Sequence, residues 1–165
     1  MNLSSNKVVD NFLPKVDFDK LRTVIYGLHF PWFYQEIVEG VEGQGNYCYF
    51  THLLLNDGFQ NSEMLADFLN ILKPHFEWKM IGRIKCNLYP GTDKLIEHKD
   101  HVDSAWSHNG ILLSMNTCDG VTVLEDGTKI NSVKNRALFF DPGKPHHSTN
   151  TTNAKARINI NINYF

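Results

Sequence analysis

Residues 96–105 read IEHKDHVDSA and hold the pattern His-X-Asp twice, as His98-Lys99-Asp100 and as His101-Val102-Asp103. On an extended chain, residues two apart project to the same side, roughly 6.5–7 Å apart at the backbone, so either pair could close on one metal ion. Alone the pattern says little, because the histidine and aspartate content of the chain supplies about half of one such match by chance. A metal site of this kind also needs a second histidine from a distant strand. FFDPGKPHHSTN supplies two candidates, His146 and His147, directly after a turn. Neighbours on a strand face opposite ways, so only one of them is expected to bind. Two histidines and one carboxylate on one face of an ion leave open positions, a donor set that suits iron. Eleven residues beyond His146 stands Arg157. Its guanidinium stays charged and pairs bidentately with carboxylates, so it suits anchoring an acid bound beside the metal.

Such a site needs strands to carry it, and the second half of the chain reads as strands. KMIGRIKCNLYPG is a long strand ending in a Pro-Gly turn, and GILLSMN is a short apolar one. GVTVLEDGTKINSV reads as two strands around Asp126-Gly127, a strong hairpin signal. NRALFFDPG is a further strand and turn, and AKARINININ alternates throughout. In that last segment Ile158, Ile160 and Ile162 share one face, while Arg157, Asn159, Asn161 and Asn163 share the other. Short strands joined by tight turns point to a sandwich or jelly roll, not a parallel sheet.

The first third reads as helical. VDFDKLRTVIYGL spaces Phe18, Leu21, Val24, Ile25 and Leu28 as one helix stripe. FPWFYQEIVEG is expected to be a second helix, with Pro31 in its first turn and Gly40 at its end. EGVEGQGN reads as a loop, and NYCYFTHLLL as a strand. NSEMLADFLNILKPH is expected to be a helix capped by Asn61 or Ser62 and ended by Pro74, with Met64, Leu65, Phe68, Leu69 and Leu72 inward. These helices would cover one sheet. The expected organisation is one domain over residues 1–165, with a mostly helical support region at 1–78 and a jelly-roll core at 79–165 carrying the site.

Composition narrows the function classes. At 42% apolar and 21% charged residues the chain is an ordinary globular one. A net charge of −2 without a lysine-arginine block disfavours nucleic acid. The sequence contains no apolar run long enough for a bilayer and no signal-peptide stretch in MNLSSNKVVDNFLPK, so no membrane partner is expected. Three widely spaced cysteines, Cys48, Cys86 and Cys118, fit reduced thiols in a cytoplasmic protein.

Taken in order, NLYPG, HVDS, MNTCDGVTVLEDG, NRALFFDPGKPHHSTN and Arg157-Ile158-Asn159 resemble the iron(II)- and 2-oxoglutarate-dependent oxygenases, in particular the small prolyl-hydroxylase-like members. FPWFY is similar to the short versions encoded by marine bacteriophages, for which the location would be the host cytoplasm. The resemblance covers residues 80–163 best. It implies a double-stranded β-helix (a cupin-like jelly roll), Fe(II), 2-oxoglutarate chelating that iron, and ascorbate as an accessory. It also implies a choice among the histidines. Similar sequences place a tyrosine-proline turn ten to twelve residues before the ligand histidine, and Tyr89 precedes His101 by twelve. They place the distal histidine immediately after the turn. The implied ligands are therefore His101, Asp103 and His146, with Arg157 on the outer carboxylate of the cosubstrate.

The resemblance further implies that Tyr89 hydrogen-bonds the cosubstrate, and that Leu112, Ser114 and Thr122 line the same cavity. Ser114 departs from the bulkier tyrosine common in prolyl hydroxylases, which loosens any inference to a prolyl substrate. DSAWSHNG would be a substrate-facing segment carrying Trp106 and His108. His29, His52 and His75 are read as structural, and the aromatics of HFPWFY as core. The implied reaction is hydroxylation of a C–H bond in a peptide, protein or small molecule, with release of succinate and CO₂. The competing expectations are a non-catalytic jelly-roll module that binds a metal or a partner, and an oxygenase acting on a nucleobase.

Overall fold

In a computed structural model of the chain, residues 6–36 and 47–165 are described; the loop read in EGVEGQGN lies outside them. Helix α1 (Lys15–Ile25) turns Phe18, Leu21 and Ile25 inward. It stops two residues before Gly27, a poor helix former, so Leu28 leaves the stripe and is fully exposed. Helix α2 (Leu65–Leu72) buries Leu65, Phe68 and Leu72, and Pro74 falls in the single 3₁₀ turn that ends it. Its N-cap is Met64 and not Asn61 or Ser62; the Ser62 hydroxyl accepts the Met64 N–H at 3.2 Å, capping the turn ahead of the helix.

The described part of the second expected helix contains a strand instead; residues 37–40, with the expected stop at Gly40, lie outside the described residues. Phe33–Gln35 forms β2 and pairs with β3 (Tyr49–Asn56), Phe33 opposite Thr51. The free edge of β3 offers backbone partners to this aromatic run, and that pairing overrides its helical spacing. Phe30 is buried as expected, but Phe33 and Tyr34 are largely exposed. The described residues between 6 and 78 are thus less helical than expected. They donate β1 (Lys7–Val9), β2, β3 and β4 (Phe59–Gln60) to the sheet.

The remaining strands are β5 (Ile81–Pro90), β6 (Asn109–Ser114), β7 (Val121–Leu124), β8 (Lys129–Asn131), β9 (Ala137–Phe140), β10 (His146–Ser148) and β11 (Ala156–Tyr164). The larger sheet runs β1-β9-β6-β11-β5-β3-β2, with β4 on β3; the smaller runs β10-β7-β8, and every strand pairing is antiparallel. This is a jelly roll. The hairpin expected at Asp126-Gly127 joins β7 to β8, and Gly127 takes a left-handed φ of 80° there.

β11 is the centre of the larger sheet, and its two faces are buried against different things. Ile158, Ile160 and Ile162 pack with Ile84, Cys86, Ile111 and Leu113 against Phe18, Leu21, Phe68 and Leu72 of the helices. That layer is the main core. The opposite face carries Arg157, Asn159, Asn161 and Asn163, all buried between the two sheets. Cross-strand register puts Arg83, Lys85, Asn87 and Tyr89 of β5, and Leu112 and Ser114 of β6, on this same inner face. Alternation in β11 therefore separates core from site, and not core from solvent.

Phe68 lies at 0% exposure in the middle of the apolar layer. Phe68→Ala is expected to cost about 3–5 kcal/mol in urea unfolding, through lost contact and the cavity left behind.

Candidate metal centre

The segment before β6 runs antiparallel to β10. His101 and His146 exchange backbone hydrogen bonds, His101 N–H to the His146 carbonyl at 2.9 Å and the reverse at 3.0 Å. Directly opposed residues project to one side, and the two imidazole rings lie 4.5 Å apart. The Asp103 N–H donates to the Pro142 carbonyl at 2.9 Å and carries its carboxylate to the same spot. The ligand atoms of His101, Asp103 and His146 all fall within 4.8 Å of one another, so these three could hold one ion.

The other candidates are turned to other uses. Between the paired positions Glu97–Thr149 and His101–His146, one strand advances four residues and the other three. The extra residue is a β-bulge, and it turns His98 inward as well. His98 is not with the three, however. Its Nδ1 meets the Ser148 hydroxyl at 2.9 Å and its ring lies between Tyr47 and Tyr89, at 5.5 and 5.2 Å. Asp100 faces outward and binds His147 Nδ1 at 2.6 Å, and Glu97 lies 3.4 Å from His147 Nε2.

Asp103 is held on one oxygen. Arg83 Nη2 donates to Oδ2 at 2.6 Å, and the side-chain amides of Asn161 and Asn163 each donate to it at 3.2 Å. Oδ1 is turned to His101 Nε2 at 3.9 Å. Burial pushes this carboxyl up, but the Arg83 charge and hydrogen bond, with help from His146 and Asn163, outweigh it and hold the group down at about 2. Burial lowers the His146 imidazole, which favours the neutral, ligating form.

Arg157 is 1% exposed. Its Nε donates to the Ser132 hydroxyl (2.7 Å), Nη1 to the carbonyls of Val121 (2.9 Å) and Thr149 (2.8 Å), and Nη2 to the Thr122 hydroxyl (2.7 Å). All four acceptors are neutral, and one of the five guanidinium N–H groups is left over. Gly120 makes room for it, since a β-carbon there would sit 2.6 Å from Arg157 Cδ and 2.4 Å from the Asn150 carbonyl. Tyr89 presents its ring 6.0 Å from the guanidinium carbon and stacks on Tyr49 at 5.5 Å. Around this cation Tyr47 Oη and His98 Nε2 are buried with no hydrogen-bond partner. Burial and the Arg157 charge hold His98 neutral, down at about 3. A buried cation with a spare donor, beside two unpaired polar atoms, fits a carboxylate-bearing cosubstrate.

Ser114 is buried opposite Asn159 on the inner face, and Leu112 sits in a small apolar cluster with Leu124, Leu138 and Phe140 that closes one side of the interior. Beside Asp103 a cleft of about 740 Å³ opens, lined by Arg83, Trp106, His108, Asn163, Met80 and Phe165. Trp106 is exposed on it, and His108 is buried and bonded to the Ser104 hydroxyl at 3.1 Å. His52 is buried among Phe30 and Phe33, His75 pairs with Asp17 at 3.1 Å, and His29 lies on the surface.

Arg83 and Tyr47 have no place among the expected site residues; Asn161 and Asn163 are expected only to share a face with Arg157, and His98 only as an alternative ligand. For Arg83 a signal existed, since it shares strand parity with Tyr89. For Asn161 and Asn163 it existed too, since they share parity with Arg157. Tyr47 offered none, because tertiary approach alone brings it beside Arg157.

No protein-family model matches the sequence, and no curated protein does. Solved structures do match. A 2OG-Fe(II) oxygenase family oxidoreductase from Burkholderia pseudomallei aligns over 96% of this chain and 84% of its own, at TM-score 0.64 and 12% identity. A prolyl-4-hydroxylase from Pseudomonas putida aligns over 96% and 91%, at 0.65 and 12%. A Trichoplax adhaerens prolyl hydroxylase, solved with a hypoxia-inducible-factor peptide fragment, aligns over 99% and 84%, at 0.63 and 16%. The chain has the 2OG-Fe(II) oxygenase fold. In that oxygenase fold the jelly-roll interior, and not the helical face, is where this chain gathers its buried polar groups.

Because Asp103 is depressed below the ordinary carboxylate value, it contributes stability above pH ~4 that is lost as pH falls toward 2. Metal-free protein is expected to show this acid-side slope in urea unfolding across pH 2–5, and Asp103→Asn to flatten it.

Proposed function

We propose that this protein is an Fe(II)- and 2-oxoglutarate-dependent dioxygenase that hydroxylates a C–H bond of a peptide, protein or small molecule, releasing succinate and CO₂. The observation that carries the reading is Arg157, a buried guanidinium on neutral acceptors with one N–H to spare. Burying a charge without a counter-charge costs several kcal/mol by order of magnitude, so an anion bound beside Arg157 would offset that cost. A binding module that performs no oxidation has no use for such a cation beside a His-Asp-His set.

His101, Asp103 and His146 would hold the iron. Arg157, Thr122 and Tyr89 would hold the far carboxylate of 2-oxoglutarate, with Leu112 and Ser114 along its wall. When bound, iron and 2-oxoglutarate supply the oxidising chemistry, with ascorbate as an accessory reductant. The chain's own residues do the rest. Asp103 stays ionised and His146 neutral, ready to ligate. Leu112, Leu138 and Phe140 exclude water from one side. The cleft with Trp106 and His108 is open beside Asp103 and would admit the substrate. The net charge of −2 and the peptide held by the Trichoplax neighbour favour a peptide or protein over a nucleobase.

Anaerobic addition of Fe(II) and 2-oxoglutarate is expected to give the weak visible charge-transfer band of the chelate. Asp103→Ala should lose the band and succinate formation together. Arg157→Lys should keep iron binding but raise the 2-oxoglutarate requirement at least about tenfold, since a lysine cannot reproduce the fork. Undiminished succinate production by Asp103→Ala would sink the assignment.

A further inference from the structure

Oδ2 of Asp103 accepts three donors at once, from Arg83 at 2.6 Å and from Asn161 and Asn163 at 3.2 Å each. A carboxylate oxygen offers about two lone-pair directions, so three donors leave it nothing for a metal. Oδ1 is the oxygen turned to His101. The donors are mutually braced, because Arg83 is the direct cross-strand partner of Asn163, and its Nη2 also reaches Asn161 Oδ1 at 3.5 Å. The Asp103 side chain is only 6% exposed, so water does not compete strongly for Oδ2.

We infer that Arg83, with Asn161 and Asn163, clamps Asp103 so that it can give a metal only Oδ1, and that Arg83 is thereby the residue that keeps three positions of the ion open. This rests on the metal reading of His101, Asp103 and His146. The consequence follows from counting ligands. Two imidazoles and a one-oxygen carboxylate occupy three of six positions, whereas a two-oxygen carboxylate occupies four and leaves two. A chelating keto acid needs two, and the third is the place for oxygen. Arg83 touches neither metal nor cosubstrate and is a positioning residue. It acts through its hydrogen bond to Oδ2, in the way outer partners orient ligands elsewhere. Loss of the bond frees Oδ2 to swing onto the ion.

Co(II) in place of iron reports this without turnover, because its visible d–d bands gain or lose intensity with coordination number and geometry. Full-length protein loaded with Co(II) is titrated with 2-oxoglutarate, comparing wild type with Arg83→Met, Arg83→Lys and Asn163→Ala. Arg83→Met is expected to change the band intensity of the Co(II) protein before 2-oxoglutarate is added, and to weaken 2-oxoglutarate binding about tenfold. Arg83→Lys, which can still donate to Oδ2, is expected to restore most of the wild-type spectrum. Asn163→Ala removes one neutral donor and keeps the ion pair, so it tests the clamp even where Arg83→Met fails to fold; a partial band change is expected. Wild-type spectra and 2-oxoglutarate affinity in a folded Arg83→Met, or a wild-type spectrum in Asn163→Ala, overturn the clamp and leave the oxygenase reading standing. A wild-type protein that binds Co(II) but not 2-oxoglutarate overturns the oxygenase reading, while a band change in Arg83→Met still upholds the clamp.

Discussion

The two backbone hydrogen bonds exchanged by His101 and His146 fix the centre of this protein. They tie a segment that has no long strand of its own to the short strand β10. Because the residues are directly opposed, their imidazoles must rise on the same side. Everything nearby follows from that pairing: Asp103 arrives two residues on with its N–H on Pro142, and the bulge between positions 97 and 101 turns His98 into the interior instead of out to solvent. A one-residue slip would reverse every side chain and scatter the three.

The larger sheet supplies the rest by dividing its faces. Its isoleucine face is covered by α1 and α2, and the apolar layer formed there carries most of the burial. The inner face is thereby free to be polar. It spends that freedom on groups that would be costly anywhere else: Arg157 on four neutral acceptors, Arg83 on Asp103, and asparagines that bond one another or Asp103, as Asn87 does to Asn159 at 3.0 Å. Both arginines are cations largely taken out of water. For Arg83 the anion is Asp103, part of the chain. For Arg157 no described residue supplies one: its four acceptors are all neutral, and that asymmetry sets the two cations apart.

Much of this was legible in the sequence. β5, β6, the β7–β8 hairpin, β9 and β11 could be read from alternation and turn residues, because strand parity and Gly127 are local properties. The helices α1 and α2 followed from their three-and-four spacing. The segment around Phe33 misled, since its spacing is helical but its backbone found partners on the edge of β3, and long-range pairing outweighs local preference. Leu28 misled because a stripe continues on paper past the residue where the helix stops. The alternation of β11 was plain, but whether its asparagine face meets water or a second sheet is not a local property.

The sequence by itself determined which residues share a face: Arg157 with Asn159, Asn161 and Asn163, His101 with Asp103, His146 apart from His147. Those relations depend only on the two-residue period of an extended chain. Tertiary structure alone decided what each face meets. It brought β10 against residues 96–103, inserted the bulge that admits His98, stood Arg83 over Asp103, and left Arg157 inside with a donor unspent. The register around the site is set by contacts between residues far apart in the chain, such as His101 with His146, His98 with Ser148 or Arg157 with Tyr89, and no window of neighbouring residues contains them.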